Sequence, residues 1–90
     1  MSTRRQYDIE VVEVDGESLI TLRPQLDFGV STFSHDADGV TLMGEGGMRR
    51  HFLLDEDSVA MLAGLDEILV MEYAEGSNEP LREIICSRAH

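Results

Sequence analysis

Ninety residues suffice for one domain with a single core and leave no room for a second. Eighteen carboxylates oppose seven basic residues, all of them Arg, and the formal charge of −11 gives a field that repels phosphate backbones, so direct nucleic-acid binding is not expected. Charged residues at 28% and hydrophobic ones at 42% are the proportions of a folded chain rather than a disordered one.

The first residues, Met1-Ser2-Thr3-Arg4-Arg5-Gln6, read as a loose polar tail. A charged alternating strand follows them instead of an apolar signal-peptide segment. Tyr7 to Val14 alternates apolar and acidic residues with the period of a strand. Asp15-Gly16 is a strong short hairpin signal, and Ser18 to Arg23 supplies the returning strand. A two-residue turn there sets Val11 opposite Ile20 and Ile9 opposite Leu22 on one face. The other face sets Asp8 opposite Arg23, as an ion pair, and Glu10 opposite Thr21. A slip of one residue destroys both matches, so the register is specified.

Pro24 ends that strand, and Gln25 to Gly29 forms a connector that tucks in Leu26 and Phe28. Val30 to His35 is a short strand anchored by Phe33. Asp36-Ala37-Asp38-Gly39 has the composition of a turn. Val40 to Met43 and Met48 to Leu54 are strands joined by Gly44-Glu45-Gly46-Gly47, where positive φ costs little.

Leu54 to Leu65 is the one stretch that reads as a helix with both ends specified. Asp55 is its N-cap, and Leu54 and Val59 are placed for a hydrophobic staple. Glu56 and Asp57 complement the helix dipole. Gly64 offers a left-handed C-terminal residue in a Schellman motif closed by Leu65. Val59, Leu62 and Ala63 share one face, and so short a helix must lie on a sheet to persist. Ile68 to Ala74 is the most apolar strand and is expected near the centre of the sheet. A loop over Glu75 to Pro80 joins it to Leu81–Ser87. The tail Arg88-Ala89-His90 has no assigned structure. The expected architecture is α+β, a single domain over 1–90, with an antiparallel β-meander sheet of about six to seven short strands and one short helix packed on it.

Several constellations invite a chemical reading. His35-Asp36-Ala37-Asp38-Gly39 lacks the spacing and the distal Glu of a calcium loop, and a plain turn accounts for it. Glu45-Gly46-Gly47 joins two strands and lacks a phosphate-loop Lys. Met48-Arg49-Arg50-His51 is the one cationic cluster in the body of the chain; it suits a carboxylate or phosphate ligand, or pairing with neighbouring acids. His35 and His51 form a base or metal pair only if the fold joins them. Cys86 sits in an apolar strand as a small hydrophobe, and as the sole Cys it makes no internal disulfide, in keeping with a reducing compartment.

No metal, cofactor or catalytic set emerges, and the chain is expected not to be an enzyme. No apolar run reaches the roughly 18 residues of a membrane span. The expectation is a small acidic protein of the cytoplasm that acts as a protein-interaction or adaptor module for a protein partner or its own twin. Its candidate binding residues are Arg49, Arg50, His51, Asp8, Glu10 and Glu13. Apolar residues on both faces of the first hairpin, with Val12, Val14 and Leu19 opposite Ile9, Val11 and Ile20, imply a second covered face. The alternative is an acidic inhibitor whose carboxylate rows imitate a nucleic acid, since same-face residues on a strand repeat at about 6.6–6.8 Å.

Overall fold

The computed structural model describes residues 6–89; residues 1–5 of the expected tail, and His90, lie outside them. Strands β1 (Asp8–Val14), β2 (Glu17–Arg23), β3 (Val30–His35), β4 (Gly39–Gly44) and β5 (Arg49–Leu53) lead into helix α1 (Glu56–Ala63). Strands β6 (Glu67–Tyr73) and β7 (Pro80–Arg88) follow. All seven strands form one sheet in the order β1-β2-β6-β7-β3-β4-β5.

The first hairpin has the expected register, with Ile9 opposite Leu22, Val11 opposite Ile20 and Glu10 opposite Thr21. Its turn is made by Asp15 and Gly16 at φ 52° and 81°, the pair of positive angles that matches the twist of a two-residue hairpin. The meander β3-β4-β5 and the hairpin β6–β7 are antiparallel as well. Gly39 is required by close approach, since a Cβ there would lie within 1.8 Å of the Phe52 carbonyl oxygen on β5.

The sheet as a whole is not the antiparallel meander that the sequence suggests. After α1 the chain inserts its last hairpin between the first hairpin and the meander, so β2 runs parallel to β6 and β3 parallel to β7. The physical reason lies in which strands tolerate an edge. β6 and β7 carry apolar residues at consecutive positions (Ile68 to Met71, Ile84 to Cys86) and gain from neighbours on both sides, whereas β1 and β5 carry the charges that protect an edge. β6, the most apolar strand, is therefore interior, and β7 is the central one.

The sheet curls into a half-barrel. Its two edges approach each other closely enough for the Tyr7 ring, just before β1, to meet Phe52 of β5 edge-on at 5.6 Å. The concave side holds the core, where Ile20, Leu22, Phe33, Val40, Leu42, Ile68, Val70 and Cys86 are buried together with Leu26 of the connector and Leu62 of α1. Burying one such side chain contributes about 1.5–3 kcal/mol, and Leu62 is how an eight-residue helix joins this cluster.

α1 begins as its sequence directs. The Asp55 carboxylate accepts from the Ser58 backbone N–H at 2.8 Å, and the Asp55 carbonyl accepts from Val59 N–H at 3.1 Å. Its end is different from the expected Schellman motif. Gly64 has φ −96° and is not left-handed. Leu62 O accepts from the Leu65 N–H at 3.2 Å, and Arg88, at the C-terminal end of β7, adds its own donors. Its Nε donates to Leu65 O at 2.8 Å, and its terminal nitrogen donates to Leu62 O at 2.7 Å and to Ala63 O at 3.2 Å. The same guanidinium lies 5.3 Å over the Phe33 ring.

Arg88→Ala is therefore expected to lower stability by about 2–3 kcal/mol, the scale of charged hydrogen bonds lost together with their acceptors. Urea unfolding reads this as a lower midpoint at unchanged slope. Arg88→Lys keeps the charge but not the fork and should restore less than half of the loss.

Candidate interaction surface

Alternation along each strand leaves a convex face that α1 does not cover. Strand pairing aligns four apolar residues across it in one row, with Val12 opposite Leu19, Leu19 opposite Leu69, and Leu69 opposite Ile85. The row crosses the adjacent strands β1, β2, β6 and β7, and Ile85 on the central strand is 67% exposed. Neighbouring strands are about 4.8 Å apart, so four of them carry an apolar band on the order of 14 Å long. Carboxylates frame it. Two residues along the strands in one direction stand Glu10 and Glu83, at the ends of the row Glu10-Thr21-Met71-Glu83. Two residues in the other direction stand Glu17 on β2 and Glu67 on β6. All four are exposed, and among the described residues none of them makes an ion pair.

The other half of the convex face, on β3, β4 and β5, is mostly polar, with Met43 and the exposed Leu53 as its apolar members. Thr32 pairs with Met43 and Ser34 with Thr41, while Thr41 and Met43 face His51 and Arg49 on β5. Of the residues singled out from the sequence, Arg49 and His51 thus belong to this polar half. Arg50 points to the opposite side, 5.0 Å over the Tyr7 ring. Asp8, Glu10 and Glu13 lie on β1, the other edge of the sheet. The two sets sit on opposite edge strands. Of the six, only Glu10 frames the apolar row.

The ion pair expected between Asp8 and Arg23 is not formed, although the two stand opposite in register. The Arg23 guanidinium lies 4.9 Å over the Tyr73 ring instead, with its Nε shielded and unpartnered. Stacking on a neighbouring ring replaces an exposed pair that is worth little. Asp8, Glu10, Arg23, Tyr73 and Asn78 border an open cleft of about 530 Å³ at that end of the sheet.

His35 and His51 are not brought together. His35 pairs with Val40 on the core side, whereas His51 pairs with Thr41 on the outer side. His51 Nε2 meets Asp36 at 3.2 Å. Asp36 also accepts from the backbone N–H of Asp38 at 2.8 Å and of Gly39 at 3.0 Å, which makes the acidic turn an Asx-type turn. These backbone donors, above all Asp38, and then His51 hold the Asp36 carboxyl below the usual carboxylate range. The Ser58 N–H does the same for Asp55. Burial, reinforced by the charge of Glu72, pushes the Cys86 thiol up to about 11, so it stays protonated and packs as a hydrophobe. Among the described residues no three His, Cys, Asp or Glu side chains gather as a metal site.

One buried charge has a structural task. Glu72 on β6 is wholly shielded. Its Oε1 accepts from Leu26 N–H at 2.9 Å and from Arg82 at 3.3 Å, while Arg82 Nε lies 3.0 Å from Oε2. That second approach is an ion-pair contact without the alignment of a hydrogen bond, since Oε2 has no directed donor. Arg82 also donates to Leu26 O at 2.9 Å. The pair therefore satisfies both backbone groups of Leu26 and fixes the connector between β2 and β3 over the core.

What sequence reasoning missed is the row itself. Val12 and Leu19 are legible as a second apolar face of the first hairpin, but their continuation through Leu69 to Ile85 depends on the parallel pairing of β2 with β6. The available signal was the run Ile84-Ile85-Cys86: with consecutive apolar residues on a strand, one of them must face away from the core.

Arg82→Met should cost about 3 kcal/mol, because it strands a buried carboxylate, and adding Glu72→Gln should recover part of that loss; a double-mutant cycle in urea measures the coupling. For Asp36 the sign follows from its depressed folded value. Its contribution is present above the ordinary 3.8 and is lost as pH falls through the lower folded value. Asp36→Asn keeps the turn acceptor and should flatten the acid limb of a Tm-versus-pH curve below about pH 4.

No protein-family model, no curated protein and no solved structure matches the chain, so its own surface is the ground for reading its function.

Proposed function

We propose that the chain is a non-enzymatic protein-interaction module that docks a partner on its convex sheet face. The observation that carries this reading is the apolar row Val12-Leu19-Leu69-Ile85 on the side of the sheet away from α1, in which Val12, Leu19 and Leu69 are half-buried and Ile85 is exposed. A strand in the middle of a sheet has no folding reason to expose an Ile, because its core contacts come from the residues on either side, here Ile84 and Cys86. Isolated exposed apolar residues are ordinary on protein surfaces. A contiguous band bounded by charge is the pattern of an interaction site.

The nucleic-acid-mimic alternative draws less from the geometry. Such a mimic needs an unbroken line of carboxylates, whereas here the carboxylates bracket an apolar centre.

Ile85→Ser should change stability by less than about 0.5 kcal/mol, as expected for an exposed side chain, and should abolish partner binding. A photoreactive benzoylphenylalanine in place of Ile85 is expected to give a discrete adduct with another protein in the source cells. The same group in place of Thr41, on the polar half, should give none. Absence of an adduct at position 85, or equal adducts at both positions, overturns the reading.

A further inference from the structure

We infer that the occupant of this face is a segment of another protein whose apolar side chains are flanked on both sides by Arg or Lys. The inference rests on the interaction reading above and adds the chemistry of the partner. Its basis is the frame around the row. Glu10 and Glu83 lie along one border and Glu17 and Glu67 along the other, all exposed and none in an ion pair among the described residues. Same-face residues repeat at about 6.8 Å along a strand, so the two borders are roughly 13–14 Å apart with the apolar band midway. Arg and Lys side chains flanking an apolar centre span that distance.

Among the described residues no Arg pairs with this frame, and Arg49 stands on β5 at the far edge of the sheet. Arg23 lies on Tyr73, Arg50 on Tyr7, Arg82 on Glu72, and Arg88 on the carbonyls of α1. Four carboxylates left facing solvent around an apolar band therefore await a basic complement, which adds encounter rate and selectivity to the hydrophobic contact.

Shape and charge together disfavour a second copy. Two convex faces touch over less area than a surface that follows their curve, and a stable interface needs roughly 1,200 Å². Their acidic borders would also repel. A partner segment flexible enough to follow a curved surface has neither difficulty.

The test uses fluorescence anisotropy with the full chain and three synthetic peptides. One has a Leu-Phe-Leu centre flanked by Arg, one has the same centre flanked by Glu, and one keeps the Arg flanks around a Ser centre. The first should bind at least about tenfold more tightly than either other peptide. Ile85→Ser should weaken it by about tenfold or more, and so should combined Glu10→Gln, Glu17→Gln, Glu67→Gln and Glu83→Gln. Neutralising four loop carboxylates instead (Asp27→Asn, Glu45→Gln, Glu75→Gln, Glu79→Gln) should change affinity by less than about twofold, since exposed charges beyond a Debye length are screened. Equal binding of the Ser-centred or Glu-flanked peptide overturns the inference, as does an equal loss from the loop set. A dimer in sedimentation that Ile85→Ser dissolves overturns it in favour of self-association. If the photoadduct at position 85 forms while the Arg-flanked peptide fails to bind, the interaction face stands and the basic partner falls. Without the adduct, the interaction reading itself falls.

Discussion

The structure depends on the grip of Arg88 on the end of α1. An eight-residue helix has no independent stability, and this one ends without a left-handed residue, its Leu62 carbonyl accepting from the Leu65 N–H at 3.2 Å. The Leu62 and Ala63 carbonyls at its end, and the Leu65 carbonyl just beyond it, are held as well by a guanidinium from the central strand, which also rests on the face of Phe33 in the core. Helix and sheet consequently hold together as one cooperative unit. The concave side is closed by a side chain that comes from the far end of the chain.

A second guanidinium acts the same way at the other side of the core. Arg82 and the buried Glu72 hold Leu26 by both its N–H and its carbonyl, which fixes the connector where the chain leaves the first hairpin for the meander. Buried pairs of this kind are poor sources of net stability. What this one supplies is position, because the connector offers no ladder partner of its own and its backbone groups must be satisfied somewhere. Together the two arginines tie the helix end and the connector to the sheet on its concave side.

Local features were legible in the sequence to the residue. The Asp15-Gly16 turn, the full register of the first hairpin and the Asp55 cap all follow from contacts within about fifteen residues, and each appears as expected. The order of strands was not legible. It is set by which strands can bear a free edge, and that depends on comparing β6 and β7 with β1 and β5 across the whole chain. The same gap explains Arg88, which reads as tail in sequence because the carbonyls it serves lie 23 to 26 positions earlier. It explains the missing Asp8–Arg23 pair too: the register was right, but Tyr73, the ring that captures Arg23, arrives with β6. The apolar row fails for the same reason, since half of it lies on a hairpin whose place in the sheet no local pattern specifies.

The excess of acid then divides into distinct uses. Glu72 is buried and paired, Asp36 and Asp55 bind backbone N–H groups at a turn and a helix start, and Asp8 sits on an edge strand where charge discourages strand addition. Glu10, Glu17, Glu67 and Glu83 have no partner of that kind among the described residues. Solubility alone would be served by carboxylates anywhere on the surface, and eleven net charges already provide it. A position on both borders of a partly exposed apolar band costs something in return, because it brings like charges near one another around a surface that water solvates poorly. That arrangement is stable in isolation only because the carboxylates face solvent, and it becomes favourable when a surface of opposite sign and matching apolar centre replaces the water. The convex half of the sheet on β3, β4 and β5 differs, since its Thr32, Ser34, Thr41, Arg49 and His51 side chains separate Met43 from the exposed Leu53 and leave no continuous apolar row. One sheet thus carries two outer surfaces of different character, and only the one on β1, β2, β6 and β7 joins a continuous apolar row to a carboxylate border.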